Sequence, residues 1–184
     1  MRQDIQQLTQ SEMFKKIGHI CALVNIVSEA QELLDVSLKE TMDLFGATRG
    51  SVFILDEQTK GLVLKVAAGL QWAERDQLVK KMGEGVVGKV AQMKKPIFVK
   101  DISSDNRFQD FQRRTSYATP SFICAPLLLK DKLIGVINLA DKSSGRAFGE
   151  EELQLLDFLA SQIALNYRRI ELYEKLQSIL KTSR

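Results

Sequence analysis

The chain has 184 residues, of which 45% are hydrophobic and 27% charged. That suffices for the core of one domain with some chain to spare, and it excludes a disordered tail, a collagen-like repeat and a disulfide-stapled mini-protein. The 26 basic and 23 acidic side chains leave +3, and the excess is local: residues 168–184 hold five basic against two acidic side chains, the remainder 21 against 21. A neutral body with a mildly basic end is not the profile of a nucleic-acid groove binder. A structural zinc site takes four soft or nitrogen ligands, and two cysteines with one histidine fall short of that. Any Ser-His-Asp or Cys-His unit would have to use His19. The opening MRQDIQQLTQSE is polar, without the apolar stretch of a signal peptide, and no window approaches the ~18 apolar residues of a membrane span. The expectation is a cytoplasmic protein with reduced thiols, no membrane partner, no metal and no cofactor.

Residues 4–45 contain no proline and only one glycine, Gly18. Apolar residues recur there at Phe14, Ile17, Cys21, Val24, Val27, Leu34, Leu38, Met42 and Phe45. Steps of three and four predict amphipathic helix ending at Gly46, and glycine at 18 suggests a break into two helices there. Arg49–Asp56 alternates and is β-rich, Asp56–Gly61 is a turn, and Leu62–Ala68 returns as the second strand of a hairpin. Residues 73–81 suggest a short helix, Gly85–Met93 another with a glycine-rich entrance, and Pro96–Lys100 a short strand. Residues 101–119 are polar with isolated aromatics at Phe108, Phe111 and Tyr117. Ser121–Leu129 and Lys132–Leu139 form a second hairpin around Lys130-Asp131, residues 142–147 form a loop, and from Glu150 to Thr182 helix resumes without glycine or proline. Strands joined by hairpins predict an α+β fold with a largely antiparallel sheet and packed helices.

A helix over 150–182 spans about 50 Å at ~1.5 Å per residue, whereas a body of this size is about 40 Å across. The overhanging part still carries apolar residues: Ile163, Tyr167, Ile170, Tyr173, Leu176 and Leu180. An exposed stripe of that length is costly in a monomer. The expected solution is a homodimer held by terminal helices, with the segment around Ile5 and Leu8 in the same bundle. The alternative is that the stripe folds back on its own N-terminal helix. The expected interface residues are Ile163, Tyr167, Ile170, Tyr173 and Leu180.

The segment 85–148 reads GVVGKVAQMKKPIFVKDISSDNRF, then SFICAPLLLKDKLIGVINLADK, with Phe148 leading into the last helix. This constellation resembles the GAF domain, a sensory module of bacterial kinases, transcription activators, cyclases and phosphodiesterases. Its markers are Gly85, Gly88, Pro96, Asp101, Asp105, Arg107, Phe108, Pro126, Gly135 and Lys142, within a match running from about Ile26 to Tyr173. The resemblance implies a central antiparallel sheet of about six strands, of the PAS/profilin-like type. Terminal helices would pack on one face, and the short helices and loops of 70–120 would roof a pocket on the other. It divides the chain into a signalling and dimerisation helix (1–25), the GAF domain (26–160) and a helical extension (161–184). In relatives the last helix runs on into an output domain, so this chain is expected to stand alone or to be part of a longer sensor.

Each motif has two readings. GVVG at 85–88 could cradle a phosphate at a helix start, or be a tight, closely packed helix entrance. Asp105, Arg107 and Phe108 could hold a ligand, or form a loop-fixing ion pair with an aromatic plug. Cys124 reads as a small buried hydrophobe, and His19 as structural or exposed. Some relatives bind cyclic nucleotides and carry an asparagine-lysine, phenylalanine, aspartate signature after the last hairpin; here Asp141-Lys142, Phe148 and Glu152 stand there, so the asparagine is replaced while the lysine and a carboxylate remain for a salt bridge that closes that region. By resemblance the pocket positions are Ser51, Val86, Val87, Thr115, Thr119 and Asn138, with Gln112 or Arg113 where nucleotide-binding relatives place an acid. The cysteine-histidine pair of bilin-binding relatives and the pocket histidine of haem-binding ones have no counterpart. Relatives that reduce free methionine sulfoxide use pocket cysteines, and a pair of Cys21 with Cys124 is not expected. The candidate ligand-binding residues are Ser51, Val87, Arg107, Phe108, Thr115, Thr119, Ser121 and Asn138. The expected function is a non-catalytic sensory domain of a bacterial signalling protein. It binds an unknown small molecule and relays the signal through a dimeric helix bundle to an output domain or kinase partner. The alternatives are a ligand-free dimerisation scaffold, its pocket filled by Phe108, Phe111 and Tyr117, and, third, a cyclic-nucleotide-binding domain.

Overall fold

The computed structural model describes residues 9–69, 79–111 and 119–182. Among the described residues four α-helices, α1 (Gln10–Ile26), α2 (Ala30–Phe45), α3 (Gly85–Met93) and α4 (Glu150–Thr182), and a short 3-10 helix (Asn106–Phe111) accompany six strands. The strands are β1 (Ala47–Leu55), β2 (Leu62–Ala68), β3 (Val79–Lys80), β4 (Ile97–Val99), β5 (Phe122–Leu129) and β6 (Lys132–Lys142). They form one sheet in the order β3-β2-β1-β6-β5-β4, and every adjacent pair is antiparallel. This is the expected α+β arrangement.

Helix α1 begins with a reciprocal cap: the Glu12 amide donates to Thr9 Oγ1, and the Thr9 amide donates to the Glu12 carboxylate at 2.8 Å. The break between the first two helices falls at 27–29, not at Gly18, which lies inside α1. Gly18 is exposed and a Cβ there would meet nothing, so the helix absorbs the modest propensity cost. The break is fixed from outside instead. The Arg169 guanidinium on α4 donates to the carbonyls of Asn25 and Val27, both at 2.9 Å, which satisfies acceptors that the end of a helix leaves open. Gly46 ends α2 in the left-handed region, its amide donating to the Met42 carbonyl.

Period-two alternation sends the strand side chains to two separate cores. On one face Val52, Ile54, Ile123, Ala125, Leu127, Ile137 and Leu139 meet α1, α2 and α4. Gly50 brings α2 close, since a Cβ there would lie 2.8 Å from Leu38 and 2.9 Å from Met42. On the other face Phe53, Phe122, Cys124, Val136 and Ala140 meet α3 and Phe108. The helix expected over 73–81 is overturned at its end: Val79 and Lys80 pair with Val63 and Leu62 as an edge strand, because the free edge of β2 offers hydrogen bonds that a local pattern cannot reveal. The rest of that expectation, residues 73–78, lies outside the described residues.

Helix α4 is buried intermittently from Glu152 to Ile170, and every residue from Leu172 to Lys181 is exposed. The overhang is therefore present. The stripe is not the expected one, however: Ile163 (1% exposed) and Ile170 (3%) belong to this chain's own core, so neither is available to a partner surface. Tyr167 is half-buried against the same core, while Tyr173 and Leu180 are exposed. The segment around Ile5 and Leu8 lies outside the described residues.

Candidate functional site

The face of the sheet under α3 carries a polar row inside an apolar layer. Ser51 on β1 pairs with Asn138 on β6, which pairs with Cys124 on β5. Two residues along β1 from Ser51 lies Arg49, opposite Ala140. Ser51, Asn138 and Arg49 are each 6% exposed. Around them close Val86, Val87, Val90 and Ala91 of α3, together with Phe108, Phe122 and Phe53. The Asn138 Oδ1 is buried and has no hydrogen-bond partner among the described residues. Such an acceptor is held out of water at a cost of about 1–3 kcal/mol unless a donor reaches it. Cys124 is fully buried, and burial pushes its thiol pKa well up. It is a small hydrophobe rather than a nucleophile. Cys21 packs against the core on the opposite face of the sheet, so the sheet separates the two thiols.

Among the expected ligand residues, Ser51, Asn138 and Val87 come together on this face. Phe108 is fully buried and meets Phe122 edge-on, centroids 5.7 Å apart. Arg107 points away. Its guanidinium bonds Asp105 at 2.6 Å and donates to the Phe98 carbonyl of β4 at 3.3 Å, capping part of the sheet's edge. The Asp105 carboxyl is held below the usual range, chiefly by its hydrogen bond with Arg107. This is the loop-fixing pair and aromatic plug that DNRF allowed. Ser121 is a correction: its hydroxyl donates to the Val99 carbonyl at 2.8 Å and accepts from the Phe148 amide at 2.9 Å. Phe148 belongs to the helix-side core, so that hydroxyl is spent on tying β4 to the entrance of α4. Thr119 lends its amide and hydroxyl to Asp141 Oδ1, at 2.7 and 3.1 Å. Thr115, Gln112, Arg113 and Tyr117 lie outside the described residues, as does the Phe111 side chain.

The two glycines of GVVG serve the helix entrance in different ways: Gly85 takes the left-handed backbone, φ +65°, with open space around it, and Gly88 is a close-packing position. A Cβ on Gly88 would stand 2.3 Å from the Lys81 carbonyl, and the Gly88 carbonyl accepts from the Gly83 amide at 2.8 Å. Among the described residues no group of three or more histidine, cysteine or acidic side chains could hold a metal, and no helix is long and apolar enough to cross a membrane. An open cleft of about 620 Å³ lies along β4 and the start of α4, lined in part by Phe98, Lys100, Asp105, Arg107 and Glu150.

At the end of β6 the Lys142–Glu152 salt bridge that the sequence allowed is formed, while the part played by Asp141 and Arg49 was missed. Asp141 has φ +57°. Its side chain accepts from Thr119 and lies 3.8 Å from Arg49, with both side chains buried. The next residue, Lys142, bonds Glu152 of α4 at 2.7 Å, with side-chain exposures of 0% and 3%, and its ammonium stands 5.2 Å from the Phe148 ring. Glu152 also accepts from the Gly149 amide. One charged residue thus serves the roof and its neighbour the helix layer. Alternation along RGSVF would have placed Arg49 on the face of Ser51, which was the available signal.

The GAF domain family model matches residues 29–167, and the chain belongs to that family. It is 26% identical over 198 aligned residues to the Dual 3',5'-cyclic-AMP and -GMP phosphodiesterase 11 of Drosophila melanogaster, covering 98% of this chain but only 13% of that protein. Among solved structures it resembles the GAF domain of an Acinetobacter phosphoenolpyruvate-protein phosphotransferase. The TM-score there is 0.75 at 20% identity, over 90% of this chain and 97% of that one. It also resembles free methionine-R-sulfoxide reductase from Neisseria meningitidis, with a TM-score of 0.74 at 17% identity, over 94% and 99% of the two chains. The solved structures share the fold, and the family makes this chain a signalling-type sensory domain.

Proposed function

We propose that this chain is the non-catalytic sensory domain of a bacterial signalling protein, binding a small molecule on the α3 side of the sheet. The observation that carries the reading is the Asn138 Oδ1, nine-tenths buried beside Ser51 with no described donor. A ligand with an N–H or O–H donor would complete it, and the surrounding apolar residues would take its body. The signal then passes to α4. Asp141-Lys142 supports that step, because a shift of Thr119 or Arg49 moves Asp141, and Lys142 is bonded directly to Glu152. Binding that prefers one arrangement by about 1.4 kcal/mol changes the output tenfold. A non-catalytic role is supported by the desolvated Cys124 and by its separation from Cys21 across the sheet.

One observation favours a second reading: fully buried Phe108 already fills part of this face, as a ligand-free dimerisation scaffold would require. A thermal-shift screen of cyclic nucleotides, amino acids and small carboxylates separates the two. A true ligand at a hundred times its Kd stabilises by about 2.7 kcal/mol, roughly 5–10 °C for a domain of this size, and Asn138→Leu abolishes the shift. Absence of stabilisation by any compound at millimolar concentration leaves the scaffold.

A further inference from the structure

Among the described residues four that are not glycine take the left-handed backbone. One is Asp141, at the junction described above. The other three are lysines: Lys60 at φ +58°, Lys94 at +52° and Lys130 at +53°. Lys60 stands just before Gly61 in the turn between β1 and β2. Lys94 caps the end of α3. Lys130 opens the two-residue turn between Leu129 and Lys132, which pair. A side chain in this conformation crowds the backbone, so glycine is the unstrained choice at all three places. Lys94 has a local task, because its ammonium donates to the Asp131 carbonyl at 2.6 Å. Lys60 and Lys130 are exposed, and neither ammonium has a partner among the described residues. Two turns therefore carry strain for the sake of a side chain that the fold does not use.

The three turns meet at one end of the molecule. Lys94 reaches the 130–131 turn, and Lys132 bonds Glu57 of the 56–61 turn at 2.5 Å. Lys80 joins them, since it pairs with Leu62 next to Gly61. Across 56–60, 80–84, 94–95 and 130–132 seven lysines stand against four acids, on a body (residues 1–167) that is neutral as a whole. Of those acids, Glu57 is bonded to Lys132, and Asp56 accepts from the Gln58 and Thr59 amides. None of the cations in these segments is an arginine, so the forked contact that suits phosphates and base edges is missing. A flat lipid surface fits no better, because α4 passes the same end on its way to Thr182. The Glu57 carboxyl is held below the usual range chiefly by its hydrogen bond with Lys132, and Lys175 and Arg168 of α4 add to that pull. An extended chain does fit. The sheet order sets β2 and β5 three strand widths apart, about 14 Å, and their turns hold Lys60 and Lys130. Carboxylates at i and i+4 of an extended polypeptide are also about 14 Å apart.

We propose that this lysine end is a docking site for an acidic polypeptide segment, bound in extended form with carboxylates four residues apart on Lys60 and Lys130. The site is separate from the face under α3 that carries Asn138, and it does not depend on a ligand there. The test measures binding of the full chain to a fluorescent oligoglutamate by anisotropy, at low salt and at physiological ionic strength, with phosphatidylserine vesicles and duplex DNA as rivals. Oligoglutamate should bind, and more weakly as salt rises. Lys60→Gly and Lys130→Gly should each weaken it by about two- to fivefold, with a thermal midpoint equal to the parent's or higher because the backbone strain is relieved. Lys39→Gln removes an exposed lysine from α2, on the other side of the sheet, and should leave binding unchanged. A chain that does not bind oligoglutamate overturns the proposal. So does a lower midpoint in the glycine variants, which would assign the lysines to the turns themselves. An equal loss in Lys39→Gln also overturns it, since only net charge would then matter. Vesicles or DNA that bind more tightly than oligoglutamate overturn the polypeptide as occupant.

Discussion

Ile137 and Asn138 are neighbours on β6, yet they stand in different chemical worlds. Ile137 enters a core built from three helices and a wholly apolar sheet face. Asn138 enters the layer under α3, where Arg49, Ser51 and Asn138 interrupt the apolar residues. Both sides hold buried oxygens without a described partner: the Ser37 and Thr41 hydroxyls of α2 on the helix side and the Asn138 Oδ1 on the other. The first two are hydroxyls inside a helix, which can turn toward the carbonyls of the preceding turn, whereas Asn138 is an acceptor in a central strand, and that contrast supports the binding side proposed above.

The largest effect should come from the link between the two faces. Lys142→Met leaves Glu152 buried without its counter-charge and should cost about 3–5 kcal/mol, read as a fall in the midpoint of urea unfolding. A loss below about 1 kcal/mol would mean that the junction is dispensable. Next, Ile137→Ala opens a cavity in the helix-side core and should cost about 2–5 kcal/mol by the same measurement. Its neighbour should behave in the opposite sense. Asn138→Leu removes an unsatisfied buried acceptor, and its stability should stay within about 1 kcal/mol of the parent or rise. If it destabilises as much as Ile137→Ala, the two faces are not different in kind. The smallest effect concerns pH. Asp105 has its folded pKa lowered by Arg107, so what the pair contributes is present above the unfolded carboxylate value near 3.9 and is lost as pH falls through the lower folded value. Protection of the 105–107 amides from hydrogen exchange should drop in that acid window before the helix-side core opens, and Asp105→Asn should remove their dependence, leaving that of the Ser103 amide, which is held by the likewise lowered Asp101 carboxyl.

Much of the fold was legible because the signals were local. Gly85–Met93 and Glu150–Thr182 are helices with the bounds that glycine and the absence of breakers suggested, and the turns at 56–61 and 130–131 separate the strands as expected. What failed was nonlocal. The end of α1 is set by Arg169, 144 residues away from Asn25, and β3 exists only because β2 has a free edge. The α4 stripe failed for a different reason. Leu156, Ile163 and Ile170 recur every seven residues and face the core. Phe158, Leu165, Leu172 and Ile179 recur every seven and face outward. Periodicity gives the repeat but not its phase, and phase is decided by where the sheet lies. The candidate face was half legible: resemblance singled out Ser51 and Asn138, which pair across β1 and β6, whereas Ser121 precedes the strand and its hydroxyl turns toward Phe148.

The Arg169 guanidinium has one more consequence. By clasping two carbonyls at the end of α1 from the middle of α4, it yokes the domain's entrance to its exit. A rotation of α4 about its own axis would strain both hydrogen bonds, so α1 and α4 should move as a pair.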